Sequence, residues 1–535
     1  MAKIKVYSEI QHEIDSKIYG HFIEELGECI HDGIWAYSDK IKRLPMLDDE
    51  HLDHVRKDLF EAVRALVHKD GEDKTVLRWP GGCFSDHYHW QDGIGPRNQR
   101  PVRENVHWKS GIFRFIKSAD GVPGPDYNNH FGTNEFLMFC EKAGVEPYIN
   151  INYGSGTPEE AADWVEYVNG SADTKWGGER AKVHPEPYGV KYWGIANEIW
   201  ARWEKGHERW SSDYARRYLR FAKAMKERDP SIQLVACGTS KAEKEGGTLF
   251  AEDAKTWNRT LLKEIEGYVD FLSIHTYIPR SRFMWGSSEK YARKEKAARA
   301  ILASPAMLKD ELNSAWQDIV ESLGKDTSVR VCFDEWNLWY HVKQVIKANY
   351  ALVDGIWVAS VLHVLQEFSP VAPIANLAQM VNVLGLIRTD DHGIVKTPSY
   401  YAFQLLRQHS HPGYLKTEVE CESYESGKFG YIKPLKTPFL DCGATVSKDG
   451  KNITLSVVNK HLEKSITSSI EIEGSSQPVV EEVIELSHND LFAFNTPENR
   501  NNVIPTHIAI ENKQLDKFEF PPHSLTILKF IYDQR

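Results

Sequence analysis

The sequence predicts an α/β chain, a (β/α)8 TIM barrel with a C-terminal all-β sandwich (jelly-roll-like) domain. Three observations predict it. Eight short apolar runs alternate with amphipathic stretches through the first three quarters of the chain, the pattern of parallel strands joined by helices. Most of these runs finish on a polar group, and in such a barrel the C-terminal strand ends line the active site. From about residue 413 the texture changes to alternating strands separated by turn residues, which reads as an all-β module.

The eight runs are KIYGHFIEE (17–25), TVLRWPGG (75–82), EPYININYG (146–154), VKYWGIANE (190–198), IQLVACGTS (232–240), YVDFLSIHTY (268–277), VRVCFDEWN (329–337) and SPVAPIANLAQ (369–379). Between the first two, HLDHVRKDLFEAVRALVHK (51–69) spaces Leu52, Val55, Leu59, Val63, Leu66 and Val67 near a helical period. NEFLMFCEKAG (134–144) ends on a glycine, and TPEEAADWVEYVNG (157–170) opens on Thr, Pro and acids. These are C- and N-terminal helix signals. DYARRYLRFAKAMKERDP (213–230) and residues 351–366 continue the pattern. Further on, NITLSVVNKH, SSIEIEG, PVVEEVIEL, THIAIEN and SLTILKFIY read as strands, and KIKVYSE (3–9) alternates in the same way. The expected division is a catalytic barrel over 17–410 and a β-sandwich built from 1–16 plus 411–535. A doubly wound open sheet is the alternative, but no GxGxxG or P-loop follows any strand.

A chain of 535 residues exceeds one ordinary domain of ~100–200 residues. With 65 Lys and Arg against 76 Asp and Glu the net charge is −11, which argues against a nucleic-acid partner. The 16 Trp and 23 Tyr supply flat amphipathic rings of the kind that suits carbohydrate surfaces as well as ordinary cores. The cysteines (Cys29, Cys83, Cys140, Cys237, Cys332, Cys421, Cys442) are odd in number and form no CxxC pair. They read as reduced thiols of a cytoplasmic protein. The N-terminus lacks a continuous apolar segment and no run approaches a membrane span.

Glu198 and Glu335 carry the sharpest chemical signal. Each follows an apolar strand, the fourth and the seventh, and each has a polar neighbour before it and a tryptophan after it: Asn197-Glu198-Ile199-Trp200 and Asp334-Glu335-Trp336-Asn337. They are 137 residues apart in sequence, yet both would face one barrel mouth. Two carboxylates there suit glycoside hydrolysis. A capping or salt-bridged acid is the plainer reading of either one alone, and a matching second acid weakens it. HExxH is absent, so no metal site is expected. Arg78 would close strand two, where a guanidinium holds a carboxylate ionised or positions hydroxyls. Pro80-Gly81-Gly82 makes a tight loop, and Cys83 reads as a packed thiol. His275 and Tyr277 alternate in SIHTY and would point to one side of strand six. Trp200, Trp203, Trp336 and Trp339 would either stack on sugars or brace the barrel.

The pieces YGHFIEELG (19–27), LRWPGGCFSDHYHWQDGIGPRNQRP (77–101), FGTNEF (131–136), YWGIANEIW (192–200), SIHTY (273–277), DEWN (334–337) and NLAQMVNVLG (376–385) resemble glycoside hydrolase family 51, best known for α-L-arabinofuranosidases. Their order and spacing span nearly the whole barrel. The resemblance implies a retaining, exo-acting enzyme with Glu198 as general acid/base and Glu335 as nucleophile. It implies that Asn197 contacts the sugar 2-hydroxyl, that Glu24, Arg78, Cys83, Tyr277 and Gln379 line subsite −1, that His275 lies beside the acid/base, and that Trp108 forms an aromatic wall. It further implies no cofactor and no metal, an arabinofuranosyl oligosaccharide substrate, a cytoplasmic location and a homo-oligomer, often a hexamer. An endo-glucanase or xylanase, a furanosidase for another sugar such as galactofuranose, and a non-catalytic carbohydrate binder are the rival readings. Three departures stand out. Glu25 replaces a histidine, Ala196 stands where glycine commonly precedes Asn-Glu, and an extra segment (109–129) reads as a long loop over the active-site face that reshapes the leaving-sugar subsites.

Overall fold

In the computed structural model, which describes residues 1–105, 126–241, 254–279, 293–340, 348–474, 479–509 and 515–531, each of the eight apolar runs becomes one strand of a closed parallel barrel. The strands, barrel one to eight in chain order, are Gly20–Phe22, Val76–Trp79, Glu146–Ile151, Tyr192–Ile195, Gln233–Cys237, Phe271–Ile278, Arg330–Leu338 and Ile374–Ala378. Every residue of strands two, four and eight is buried. A parallel strand covered on both faces has no solvent side to mark with polar residues, so it reads as an apolar run. The ring closes where Gly20 pairs with Asn376. A Cβ at Gly20 would stand 2.2 Å from the Asn376 side chain and 2.7 Å from the Ala375 carbonyl, so closure needs glycine there.

The helices follow the amphipathic segments. Lys57–Val67 buries Leu59, Val63, Leu66 and Val67. Thr133–Ala143 stops at Gly144, which is left-handed at φ 77°. Pro158–Asn169 starts from Thr157, whose side chain accepts the Glu160 N–H. Ser211–Arg228 is a fourth. Leu352–Phe368 is apolar nearly all round because it lies between the barrel and the second sheet. Its His363 Nε2 is 2.7 Å from Ser456 Oγ of that sheet.

The second sheet has nine strands in the order Thr506–His507, Val479–Leu486, Ser524–Ile531, Asn452–Asn459, Leu440–Val446, Gly413–Glu420, Ala2–Glu13, Ile466–Ile472 and Phe518–Phe520. Apart from the pair Ser423–Glu425 and Lys436–Pro438, the all-β module is therefore one continuously hydrogen-bonded sheet, and the N-terminal strand is inserted in it. Ala2–Glu13 pairs antiparallel with Gly413–Glu420 and parallel with Ile466–Ile472. Eight of the nine strands contribute side chains to one separate core that includes Ile4, Val6, Leu455, Ile470, Phe520 and Leu528. The opposite face sends Val458, Ile484 and Ile527 into the barrel's core. All seven cysteines are free thiols. Among the described residues no helix is long and apolar enough to cross a membrane.

Candidate active site

Strand seven departs from regular pairing at the point where chemistry is expected. Ser273 pairs with Cys332, but His275 pairs with Glu335, so strand seven holds one extra residue between them. An extra residue breaks the alternation of side chains. Consecutive acids, which a regular strand would send to opposite faces, here meet the same partners. Arg78 Nη1 donates to Glu335 Oε1 at 2.6 Å, and Arg78 Nε lies 3.6 Å from Asp334 Oδ2.

Strand four ends differently. Ala196 adopts φ 80° and Glu198 φ 44°, so the chain turns sharply on either side of Asn197. Asn197 Oδ1 accepts from Arg78 Nη2 at 2.8 Å. Glu198 Oε1 lies 2.9 Å from His275 Nδ1. One buried guanidinium thus bridges the ends of strands four and seven, and its flat face lies 4.9 Å from the Phe22 ring.

The remaining groups fix the two glutamates. Tyr277 Oη donates to Glu335 Oε2 at 2.8 Å. His275 Nε2 lies 3.3 Å from Asp334 Oδ1. Asp334 also accepts from Tyr148 Oη at 2.8 Å and Ser273 Oγ at 2.5 Å. Burial opposes a charge on His275, but the Glu335 carboxylate and hydrogen bonds to Asp334 and Glu198 prevail and raise its pKa to about 10. Burial likewise opposes ionisation of Asp334, yet Arg78 and His275 hold it down at about 2. Glu24 accepts from the Phe84 N–H at 3.0 Å and from Gln379 Nε2 at 2.8 Å. Burial, reinforced by the Glu335 charge, pushes it up to about 7. Beside it the buried Glu25 is pushed up to about 8, again by burial and then by Glu24. A Cβ at Gly82 would stand 3.0 Å from Glu335 Oε1, and one at Gly81 2.4 Å from Glu24 Cγ, so the Gly81-Gly82 backbone packs directly on both side chains.

Of the expected site residues, Glu24, Arg78, Asn197, Glu198, His275, Tyr277, Glu335 and Gln379 meet in this network. Cys83 is half-buried, and its Sγ donates to Glu204 Oε1 at 2.8 Å. Burial, with Glu204 nearby, keeps the thiol well above its ordinary range, which fits a packed thiol. Trp108 and most of the 109–129 segment lie outside the described residues. Trp200 is buried and donates to the Gly238 carbonyl, and Trp336 packs in the core against Trp357; these two brace the barrel. Trp339 stands edge-on to Tyr277, with ring centroids 5.3 Å apart.

Sequence reasoning missed four members. Asp334 was only a neighbour of Glu335, and its role depends on the bulge. Tyr148 and Ser273 serve through Asp334. Glu204 is buried beside Cys83, and burial together with Glu198 holds its carboxyl well above the usual range. An acid between Trp203 and Lys205 in a loop gives no sequence signal of burial.

Glu198, His275 and Glu335 each offer an atom within 4.8 Å of the others. The donor set does not fit a cation: Arg78 and Tyr277 already hold both Glu335 oxygens, and the Arg78 guanidinium brings a positive charge to the same place. What the arrangement presents is two carboxylates at one barrel mouth, one held by a guanidinium and a phenol, the other by an imidazole.

Residues 72–296 match the α-L-arabinofuranosidase 1 domain and residues 334–524 the α-L-arabinofuranosidase C-terminal domain. The chain is 31% identical to a probable α-L-arabinofuranosidase C of Aspergillus clavatus, covering 97% of this chain and 95% of that protein. The chain belongs to glycoside hydrolase family 51, the α-L-arabinofuranosidases. Within family 51 it is also similar to the crystal structure of α-L-arabinofuranosidase from Thermotoga maritima in complex with arabinose, at 36% identity and TM-score 0.83 over 99% of this chain and 100% of that one. An intracellular exo-α-L-arabinofuranosidase of Bacteroides ovatus is 29% identical over 99% of this chain and 95% of its own length. The barrel with its sheet-rich C-terminal domain is thus the family 51 architecture. The family's glycoside hydrolase chemistry is what the two carboxylates are equipped to perform.

Proposed function

We propose that the chain is a retaining, exo-acting enzyme that releases terminal α-L-arabinofuranose from arabinan- and arabinoxylan-derived oligosaccharides by double displacement. The observation that carries this reading is that a Glu198 oxygen and a Glu335 oxygen lie within 4.8 Å. Retaining enzymes hold their carboxyl groups ~5–5.5 Å apart, and inverting enzymes need ~6.5–9.5 Å to seat a water.

Glu335 is the nucleophile in this reading, because Arg78 and Tyr277 hold its two oxygens and fix their direction. Glu198, whose Oε1 meets the His275 imidazole at 2.9 Å, is the acid/base. Glu335 attacks C1 while Glu198 protonates the departing oxygen. The ester removes the Glu335 charge, and Glu198 then takes a proton from water as that water attacks C1. Asn197 holds the 2-hydroxyl, Glu24, Arg78, Cys83, Tyr277 and Gln379 line the sugar pocket, and His275 orients Glu198.

The reading extends to a cytoplasmic homo-oligomer, a hexamer by family resemblance, divided into a barrel (17–410) and a β module (1–16 plus 411–535). The word intracellular in the name of the Bacteroides ovatus relative supports the compartment. A panel of aryl glycosides and oligosaccharides followed by product chromatography tests the function. Free arabinose alone, formed first as the α-anomer, is the expected product. Internal cleavage products, or faster release of galactofuranose, would sink the proposal.

A further inference from the structure

Cys83 stands between two residues that touch the candidate catalytic groups. Before it is Gly82, where a Cβ would meet Glu335 Oε1 at 3.0 Å and Asn197 Nδ2 at 3.3 Å. After it is Phe84, whose N–H holds Glu24 Oε1 at 3.0 Å. The thiol between them is half-buried. Its Sγ donates to Glu204 Oε1 at 2.8 Å, a carboxyl that neither displacement step uses.

Glu204 is held firmly in place. It lies two turns beyond Glu198: Ala201 N–H returns to Glu198 O at 2.7 Å, and Glu204 N–H to Ala201 O at 3.1 Å. The turns are pinned at both ends. Trp200 Nε1 donates to Gly238 O at 3.0 Å. Gly206 N–H donates to Asp86 Oδ2 at 3.2 Å, and a Cβ at Gly206 would stand only 2.7 Å from that oxygen. Glu204 is 4% exposed, and its Oε2 is buried without a hydrogen-bond partner. Among the described residues the Cys83 thiol is therefore what this carboxyl is hydrogen-bonded to. Burial and then the Glu198 charge hold the carboxyl well above its usual range, which favours its uncharged form. Burying an acid with one oxygen unanswered costs free energy, so its place beside the thiol calls for a role.

We infer that Glu204 is a positioning residue for the sugar pocket: it takes the Cys83 hydrogen and so fixes the sulfur as an acceptor for a furanose hydroxyl. The inference rests on the function proposed above, in which Cys83 lines that pocket. A thiol has one hydrogen to donate, and its sulfur is also a weak acceptor. With the hydrogen spent on Glu204, only the acceptor role is left for the sugar. The thiol's rotation is fixed as well, because the other end of the bond belongs to a pinned segment. Without that acceptor the S–H turns, and a sugar hydroxyl meets a donor as readily as an acceptor.

The test is a double-mutant cycle read in KM and kcat on an aryl arabinofuranoside. Glu204→Leu removes the acceptor and is expected to raise KM about fivefold, with a smaller change in kcat. Glu204→Gln keeps a carbonyl at the same reach and is expected to restore KM to within about twofold of wild type. Combined with Cys83→Ala, Glu204→Leu is expected to change KM by less than about twofold, because the thiol it acts through is gone. If Glu204→Leu does not fold, Glu204→Asp, whose carboxyl is withdrawn by one methylene, takes its place in the same cycle. A packing role alone raises KM equally with and without Cys83→Ala, and that result would overturn the inference. So would an unchanged KM in Glu204→Leu, or a Glu204→Gln variant as impaired as Glu204→Leu. A wild-type KM in Cys83→Ala would take Cys83 out of the sugar pocket and overturn the inference with it. Absence of aryl arabinofuranoside hydrolysis by the wild type would instead remove the proposed function.

Discussion

Arg78 Nη1 lies 2.6 Å from Glu335 Oε1, and both side chains are buried. The same guanidinium reaches Asn197 and Asp334, so one charge serves three groups from two strands. Removing one member of a buried pair leaves the others uncompensated, which typically costs about 3–5 kcal/mol. Arg78→Met is expected to lower the unfolding free energy by that order, read from urea denaturation. Arg78→Lys keeps the charge but loses the planar fork. It is expected to fold, with kcat/KM down roughly 100-fold from misplacement of the carboxylate. A lysine variant with wild-type kinetics would show that charge alone suffices.

The two carboxylates are expected to separate by leaving group. Glu335→Ala should lose roughly 10⁴-fold or more on every substrate, because no nucleophile remains. Glu198→Ala should lose about 10²–10⁴-fold on natural oligosaccharides, where the leaving oxygen needs a proton. On aryl glycosides with acidic phenols the loss in forming the glycosyl-enzyme should be much smaller, and added azide should accelerate turnover by replacing water. Equal losses on both substrate types would falsify the acid role of Glu198.

The parts of the site legible in the sequence are those set by strand order. Glu24, Arg78, Glu198, His275, Glu335 and Gln379 stand at the ends of apolar runs, and barrel closure alone brings such ends together. Asp334 was not legible, because regular alternation places it on the opposite face from Glu335 and only the bulge reverses that. Glu204 was not legible because loop sequences carry no period from which burial can be read. Trp200 and Trp336 follow the glutamates in sequence yet face the core, since the direction of a side chain just past a strand depends on the turn it enters. The β module was legible as strands, but their joining into one nine-stranded sheet through Ala2–Glu13 depends on pairings from opposite ends of the chain.

Ala196 offers a test of backbone strain. Its φ of 80° lies in the left-handed region, which costs an alanine roughly 1–2 kcal/mol. Glycine there avoids that cost but adds about 0.5–1 kcal/mol of unfolded-state entropy. Ala196→Gly is therefore expected to stabilise the chain by up to about 1 kcal/mol, raising the denaturation midpoint. A clear loss of stability would mean that Ala196 is not held in the left-handed conformation. Because Asn197 and Glu198 follow directly, KM and kcat measured on the same variant also report how far this turn sets their positions.

His275 links the site to pH through stability. Its pKa is raised from 6.5 to about 10, with burial opposing the charge and Glu335, Asp334 and Glu198 favouring it. The folded state therefore binds a proton that the unfolded chain releases above its ordinary value. The resulting stabilisation is fully present below pH 6.5 and is lost as pH rises through about 10. Over this window the slope of unfolding free energy approaches about −1.4 kcal/mol per pH unit. Glu24, raised to about 7 from 4.5, acts in the same direction but mainly below pH 7. Asp334, depressed to about 2, gives stability that is lost only in acid. Urea titrations between about pH 7.5 and 9.5 cover the imidazole's range, which it shares with the Glu25 carboxyl, raised to about 8, and with the buried Cys83 thiol, so the difference between wild type and a His275 variant gives its share. His275→Gln is expected to flatten the decline across that interval while lowering stability at its neutral end. If wild type and variant fall in parallel, His275 is neutral in the folded chain.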